Sequence, residues 1–455
     1  MAKAVITILG TIPAPKEGQE RANYQLSSSL EESFSLKRSN YTNMLPLIID
    51  NFQDNYSIEC IYTNFSKSRQ TDVLDYEEID FDIEANGVFI SEDVMRDGIE
   101  VEEAKYSYFL QKYNELIEKY DSVIIDVSHG FRHFPILATI NMMIQNIKEP
   151  KKIEYILFAK ELEPFKKYEI IDLKEYLELA NFSFLLSNFN QNYTVSSNIR
   201  FKNKLYRELA QELSEFSHHF LSNSLKPLIE GNLIAKIIDN LEELQKDKSV
   251  EHFKHYIEDI IYHLEDIRQL KYELEWKKLY KISKIMDKRG YQLNAITLLF
   301  EAVGFYCLES LSNLDSVGKR AKEYYGYIEQ GRKPKNIYST YTMTNQIRTV
   351  VKIDSRFHIS DERLFIANEK IKDEIIEYIE DVQGIAKFKR FLQDLEALRN
   401  NLAHGNSSDT LSDVKKSYQS HLSRFKDFCI DKDIFATAKD FNNMSPIDRL
   451  KSKFN

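Results

Sequence analysis

SVIIDVSHGFRHFPILATI, from Ser122 to Ile140, is the stretch whose reading decides the fold. Val123, Ile124, Ile125 and Val127 surround a single acid, Asp126, and predict a short buried strand. Gly130 then punctuates, Pro135 presets a helical φ, and a mostly apolar run reaches Ile147, so a helix follows within one tight turn. In an α/β sheet such a turn puts Ser128, His129, Gly130 and Arg132 at the carboxyl end of a strand. There they lie beside the free N–H groups of the next helix, where phosphates bind readily. Two readings of the turn stand side by side: a pocket for an anion, or a turn that Asp126 and Ser128 merely cap and close.

Working outward, Ala2 to Leu9, Tyr56 to Thr63 and Ile153 to Ala159 repeat the short β pattern. Helical segments are predicted between them over Thr42 to Phe52, Val101 to Tyr120 and Phe134 to Ile147. Strands alternating with helices imply crossover units and a mostly parallel sheet. The turns Gly10-Thr11 and Ser128-His129-Gly130 then fall on one edge, and adjacent strands at a switch point would make one crevice of both. No G-x-x-x-x-G-K-[ST] is present, and G-T-I-P-A-P after the first strand lacks the G-x-G-x-x-G spacing, which disfavours an ATPase or a dehydrogenase. D-V-S-H-G also differs from a G-x-S-x-G nucleophile elbow, because Asp126 stands where the first Gly must permit the strained turn.

Asp126-Val127-Ser128-His129-Gly130 resembles the Asp-x-Thr-His-Gly signature of CRISPR-associated Rossmann-fold (CARF) sensors, with Ser keeping the hydroxyl of Thr. Near the other end, Arg399-Asn400-Asn401-Leu402-Ala403-His404 matches the Arg-x4-His motif of HEPN ribonucleases, with a polar residue directly after the Arg. In this order the pair resembles the CARF-HEPN effector ribonucleases of type III CRISPR systems. The resemblance implies an α/β plus all-α chain: a Rossmann-like CARF sensor over 1–175, a helical connector over 176–289 and a helical HEPN ribonuclease domain over 290–455. It further implies that Gly10, Thr11, Ser128, His129, Gly130 and Arg132 bind a cyclic oligoadenylate, most often cyclic tetra-adenylate. Arg399, Asn400 and His404 would be catalytic on single-stranded RNA in antiviral defence, without metal or cofactor, leaving 2′,3′-cyclic phosphate ends. A homodimer, or an assembly of such dimers, belongs to the same expectation.

Composition agrees with a modular chain. At 455 residues it exceeds one ordinary core, and 13 Gly, 9 Pro and 43% apolar residues describe a helix-rich globular protein. Cys60, Cys307 and Cys429 are far apart and odd in number, against a disulfide framework or a thiolate zinc site. A reducing cytoplasm fits, and no signal peptide or membrane span is expected. A net charge of −10 disfavours a broad nucleic-acid-coating surface but admits a local basic site.

From about Leu173 the β signal fades into amphipathic helices, predicted over Lys174 to Phe189, Lys202 to Leu225, Leu233 to Lys246 and His252 to Met286. His252, His255 and His263 suggest a metal site, but no ligand set completes it and a solvated face is the simpler account. Leu293 to Leu308 is a very apolar helix with one acid, Glu301, either exposed or held for a partner such as Arg399. Gly331 to Lys352 is locally basic and turn-rich: an exposed loop, or a strip that guides RNA.

The helix carrying Arg399 shows a stripe of Phe388, Phe391, Leu392, Leu395, Leu398 and Leu402, with Gly405 as its stop. Arg399 and His404 lie about 140° apart around that helix, so one copy presents an incomplete site and a twofold pair would complete it. Asn400 shares the His404 face and can position it or a phosphate. His and Arg are the residue types for proton transfer and phosphorane stabilisation when a 2′-OH attacks. Such a mechanism acts on RNA alone. The competing function is a CARF sensor whose helical half only dimerises or recruits a partner, with or without ring-nuclease activity of the front domain on its own ligand.

Overall fold

The computed structural model describes residues 2–11, 21–90, 103–129, 133–149, 152–195, 201–319, 340–353 and 369–436. The chain forms two compact units. The first comprises Met1–Phe189, Val195–Gln211 and Glu243–Ile257, and the second Asn190–Thr194, Glu212–Glu242 and Glu258–Asn455.

The first unit is built on an eight-stranded mixed sheet. Its strands are β1 (Lys3–Ile8), β2 (Ala22–Leu26), β3 (Asn40–Tyr41), β4 (Ser57–Tyr62), β5 (Gly87–Phe89), β6 (Ser122–Asp126), β7 (Ile153–Glu163) and β8 (Lys167–Asp172). They run in the order β3-β2-β8-β7-β6-β1-β4-β5, parallel except at β2–β3 and β7–β8. The chain winds from β1 through β4 to β5 on one side and from β6 to β7 on the other. The switch point is therefore the β1–β6 pair, where Thr7 stands opposite Asp126.

Period-two alternation explains why both faces are covered. Val5, Ile58, Cys60 and Ile124 pack with Leu45, Ile48 and Leu74 of helices α2 (Met44–Phe52) and α3 (Asn64–Glu77), α1 being the short turn Ser28–Glu31. Ala4, Ile6, Val123 and Ile125 pack the other way, against Phe109, Tyr113, Phe134 and Ala138 of α4 (Glu103–Lys119) and α5 (His133–Lys148). Each fully buried Val or Ile is worth about 1.5–3 kcal/mol.

The four strands read from sequence are all present. Strands β2, β3, β5 and β8 are additional, short or half-polar segments whose pairing comes from neighbours rather than their own pattern. Helix α3 was also not visible as apolar periodicity; it is fixed at its start by a capping box, with Thr63 accepting from the Ser66 amide and Ser66 accepting from that of Thr63.

Helices α6 (Lys174–Asn192), α7 (Lys204–Leu221), α8 (Leu225–Glu230), α9 (Leu233–Leu244) and α10 (Lys254–Gln269) follow. The expected single segment His252 to Met286 is broken: α10 ends in a 3-10 turn at Leu270–Tyr272, and α11 (Glu275–Lys288) starts from an extended Leu274. Likewise Lys202 to Leu225 is interrupted where Asn223 takes a left-handed conformation before α8.

The second unit centres on α12 (Gln292–Leu311). This helix is long and apolar enough to cross a membrane by length and composition, but here Ala295, Ile296, Leu299, Phe300, Val303 and Cys307 are buried in the protein core. Around it lie α11, α13 (Thr340–Lys352), α14 (Glu369–Glu380), α15 (Ile385–Ala403) and α16 (Leu411–Phe425). Ser283 of α11 donates or accepts with Tyr418 of α16 at 2.8 Å and donates to the Ala295 carbonyl at 2.7 Å, a buried polar tie among α11, α12 and α16.

The basic stretch needs correction. Residues 340–352 are neither loop nor exposed strip but helix α13, with Met343, Ile347, Val350 and Val351 buried and Arg348 fully so. Residues 331–339 lie outside the described residues.

Candidate functional site

At the carboxyl edge of β1 and β6 a chain of short hydrogen bonds joins the two turns. Asp126, fully buried, accepts from Thr7 Oγ1 at 2.7 Å and from the Ser128 amide at 3.0 Å. Ser128 Oγ accepts from the Ala159 amide of β7 at 2.8 Å, which extends the β6–β7 ladder by one rung and leaves the hydroxyl proton free to donate. Both readings of the turn are thus compatible with one hydroxyl.

His129 is half-buried, and its Nε2 accepts from the Met44 amide at the start of α2, at 3.4 Å. Burial holds the imidazole below its ordinary value, against the pull of Asp126, so the ring is neutral with its proton on Nδ1. On the β1 side, Gln70 Nε2 donates to the Gly10 carbonyl at 3.0 Å and its Oε1 accepts from Asn43 Nδ2 at 3.1 Å. Asn43 Oδ1 in turn caps α2 through the Leu45 amide at 3.0 Å.

The structure thus brings Gly10, Thr11, Ser128 and His129 to the carboxyl edge of β1 and β6, and links Gly10 through Gln70 and Asn43, residues that sequence reading had missed, to the start of α2, where His129 bonds. Asn43 carried an N-cap signal; Gln70 carried none, because its partners are Gly10 and Asn43, far away in sequence. Gly130 and Arg132 lie outside the described residues.

The second cluster lies on α15. The stripe holds at Phe388, Phe391, Leu392 and Leu395, which are buried, while Leu398 and Leu402 are half-buried. His404 is the C-cap, and Gly405 at φ +66° lets the Asn406 amide return to the Asn401 carbonyl at 2.9 Å and its own amide to Leu402 at 3.3 Å. This is the Schellman closure, which needs a left-handed residue at the position after the cap.

The His404 ring is exposed there. Arg399 turns inward instead: Nη1 donates to Asn400 Oδ1 at 2.8 Å, Cζ lies 5.5 Å from the Phe300 ring centroid, and Nε is buried without a partner among the described residues. Asn400 therefore holds Arg399 through its side chain and meets His404 only through its carbonyl, which accepts the His404 amide at 3.0 Å. A buried guanidinium N–H left open is a standing cost of about 1–3 kcal/mol and a ready donor for an anion.

Among the described residues no group of three His, Cys, Asp or Glu is placed to hold a metal ion. His263 faces Arg289, with Nδ1 3.3 Å from Nη2.

No family model matches the chain, and no curated protein does. Among solved structures the chain is similar to Enterococcus italicus Csm6 bound to cyclic hexa-2′-fluoro-hexa-dAMP, at 12% identity and a TM-score of 0.33, covering 100% of this chain and 97% of that one.

Proposed function

We propose that this chain is a ligand-activated, metal-independent endoribonuclease of type III CRISPR defence. In this reading a cyclic oligoadenylate, with the four-adenylate ring foremost, binds at the β1–β6 edge, and single-stranded RNA is cut at the end of α15. The chain divides into sensor, connector and nuclease at 175/176 and 289/290.

The observation that supports the nuclease half is the presence at one helix end of an exposed imidazole, His404, and a guanidinium, Arg399, whose buried Nε–H has no partner among the described residues. The imidazole moves the proton of the attacking 2′-OH and the guanidinium meets the developing phosphorane charge. One copy carries few such groups, and a second copy related by a twofold axis completes the set. A dimer is also favoured by the exposed stripe Ile136, Ile140 and Ile144, at 61%, 51% and 62% exposure on one face of α5. The sensor half is supported by the four backbone and side-chain groups gathered at the switch point, a place where nucleotides settle in open α/β sheets.

The deciding experiment is incubation with fluorescent single-stranded RNA in EDTA, with and without each cyclic oligoadenylate. Ligand-dependent cleavage with 2′,3′-cyclic phosphate ends is expected. Ligand binding without cleavage would instead assign a sensor whose helical half dimerises or recruits a partner.

A further inference from the structure

Arg348, outside the Arg399–His404 motif, shares the Phe300 ring with Arg399, and Glu301 lies beside Arg348. Arg348 of α13 is 0% exposed; its Nη1 donates to the Phe300 carbonyl at 2.8 Å, its Nη2 to Asn345 Oδ1 at 3.0 Å, and its Cζ lies 3.4 Å from the Phe300 ring centroid. Room for it comes from Gly304, where an added Cβ would stand 2.9 Å from Arg348 Nη1. The same Nη1 is 4.0 Å from Glu301 Oε2.

Burial pushes the Glu301 carboxyl above its ordinary value, and the charges of Arg348 and Arg399 act against that. Arg399 reaches the same Phe300 ring from α15. One helical turn from each arginine, Lys352 donates to Glu396, tying α13 to α15. Two guanidiniums, those of Arg348 and Arg399, thus reach one ring, and Glu301 Oε2 stands 4.0 Å from the nearer of them.

A buried ion pair is a weak source of stability, since well-packed apolar residues usually do as well. What such a set supplies is a fixed orientation: Arg348 is locked by a backbone carbonyl and a side-chain amide, so Glu301 has a rigid cation 4.0 Å away and the Phe300 ring that Arg399 reaches is held by the same cation. We infer that Glu301 and Arg348 are positioning residues that set the aim of the Arg399 guanidinium at the phosphate site. This rests on the nuclease reading above.

The test is a kinetic cycle on the full chain with activator and RNA. Glu301→Gln should lower kcat by about 10²-fold with KM little changed, the usual cost of a misplaced clamp, and Glu301→Asp should recover part of it. Arg348→Lys, which keeps the charge but loses the fork, should act in the same direction. In an Arg399→Lys background both substitutions should be nearly silent, because they act only through Arg399. Additive losses, or a loss seen only in the unfolding midpoint, would overturn the assignment. If the parent protein cuts no RNA, the nuclease reading fails separately, and the cycle is read on unfolding midpoints: coupling between Glu301→Gln and Arg399→Gln supports the link, and zero coupling removes it.

Discussion

The β1–β6 edge and the end of α15 hold their polar groups in opposite ways. At the sheet edge the polar side chains are short, buried and mutually satisfied: Thr7 to Asp126, Asn43 to Gln70, Gln70 to Gly10. At the helix end one long charged side chain, Arg399, keeps a buried donor without a partner among the described residues, and His404 is exposed. The first arrangement makes a rigid cradle whose groups also hold the fold. The second leaves the exposed His404 largely outside the packing of the unit.

That contrast predicts how each region breaks. His404→Ala should lower RNA cleavage by about two to four orders of magnitude, the usual contribution of a positioned acid-base group, with unchanged unfolding midpoint and unchanged ligand affinity by calorimetry. Parent-rate cleavage by this variant would reassign the helical half to dimerisation or partner binding.

At the sheet edge the same kind of truncation should instead cost stability. Gln70→Ala strands the Gly10 carbonyl and the Asn43 amide, both buried, and should cost about 2–4 kcal/mol in denaturant unfolding together with weaker binding of cyclic oligoadenylate. A variant as stable as the parent would mean that the bridge between the two turns is dispensable. Ser128→Ala removes the acceptor of the Ala159 amide, so a loss of about 1 kcal/mol should accompany any loss of affinity, and calorimetry paired with unfolding separates the two.

The smallest effect asks whether the helical unit also carries a group that folding disfavours. Glu309 lines a cavity of about 720 Å³ with Trp276, Tyr306 and Asp433. Burial there raises its carboxyl to about 7, helped by the charge of Glu275 and opposed by the Glu275 and Trp276 amides. The folded chain then binds this proton more tightly than the unfolded chain, so stability declines as pH climbs from the ordinary Glu range toward 7. Glu309→Gln cannot ionise, and its unfolding midpoint should gain on the parent at pH 8 relative to pH 5. A constant gap between the two proteins across that range would contradict it.

The sequence by itself determined whatever depends on local pattern. The β-branched run Val123 to Val127 specified a strand buried on both faces, the alternation of strands and helices specified a largely parallel sheet, and Gly405 specified where α15 ends. Each follows from period, propensity or a single special φ, all properties of neighbouring residues. Only the tertiary structure decided what the polar groups touch. The basic composition of 331–352 gave no hint that Arg348 sinks into the core, because its partners, the Phe300 carbonyl and Glu301, lie some fifty residues away. Gln70 and Ser128 are alike in this respect, their partners 60 and 31 residues distant. A hydrogen bond is satisfied by whichever group folding brings within reach, and that choice is made by the packing of whole elements, which no local window of sequence contains.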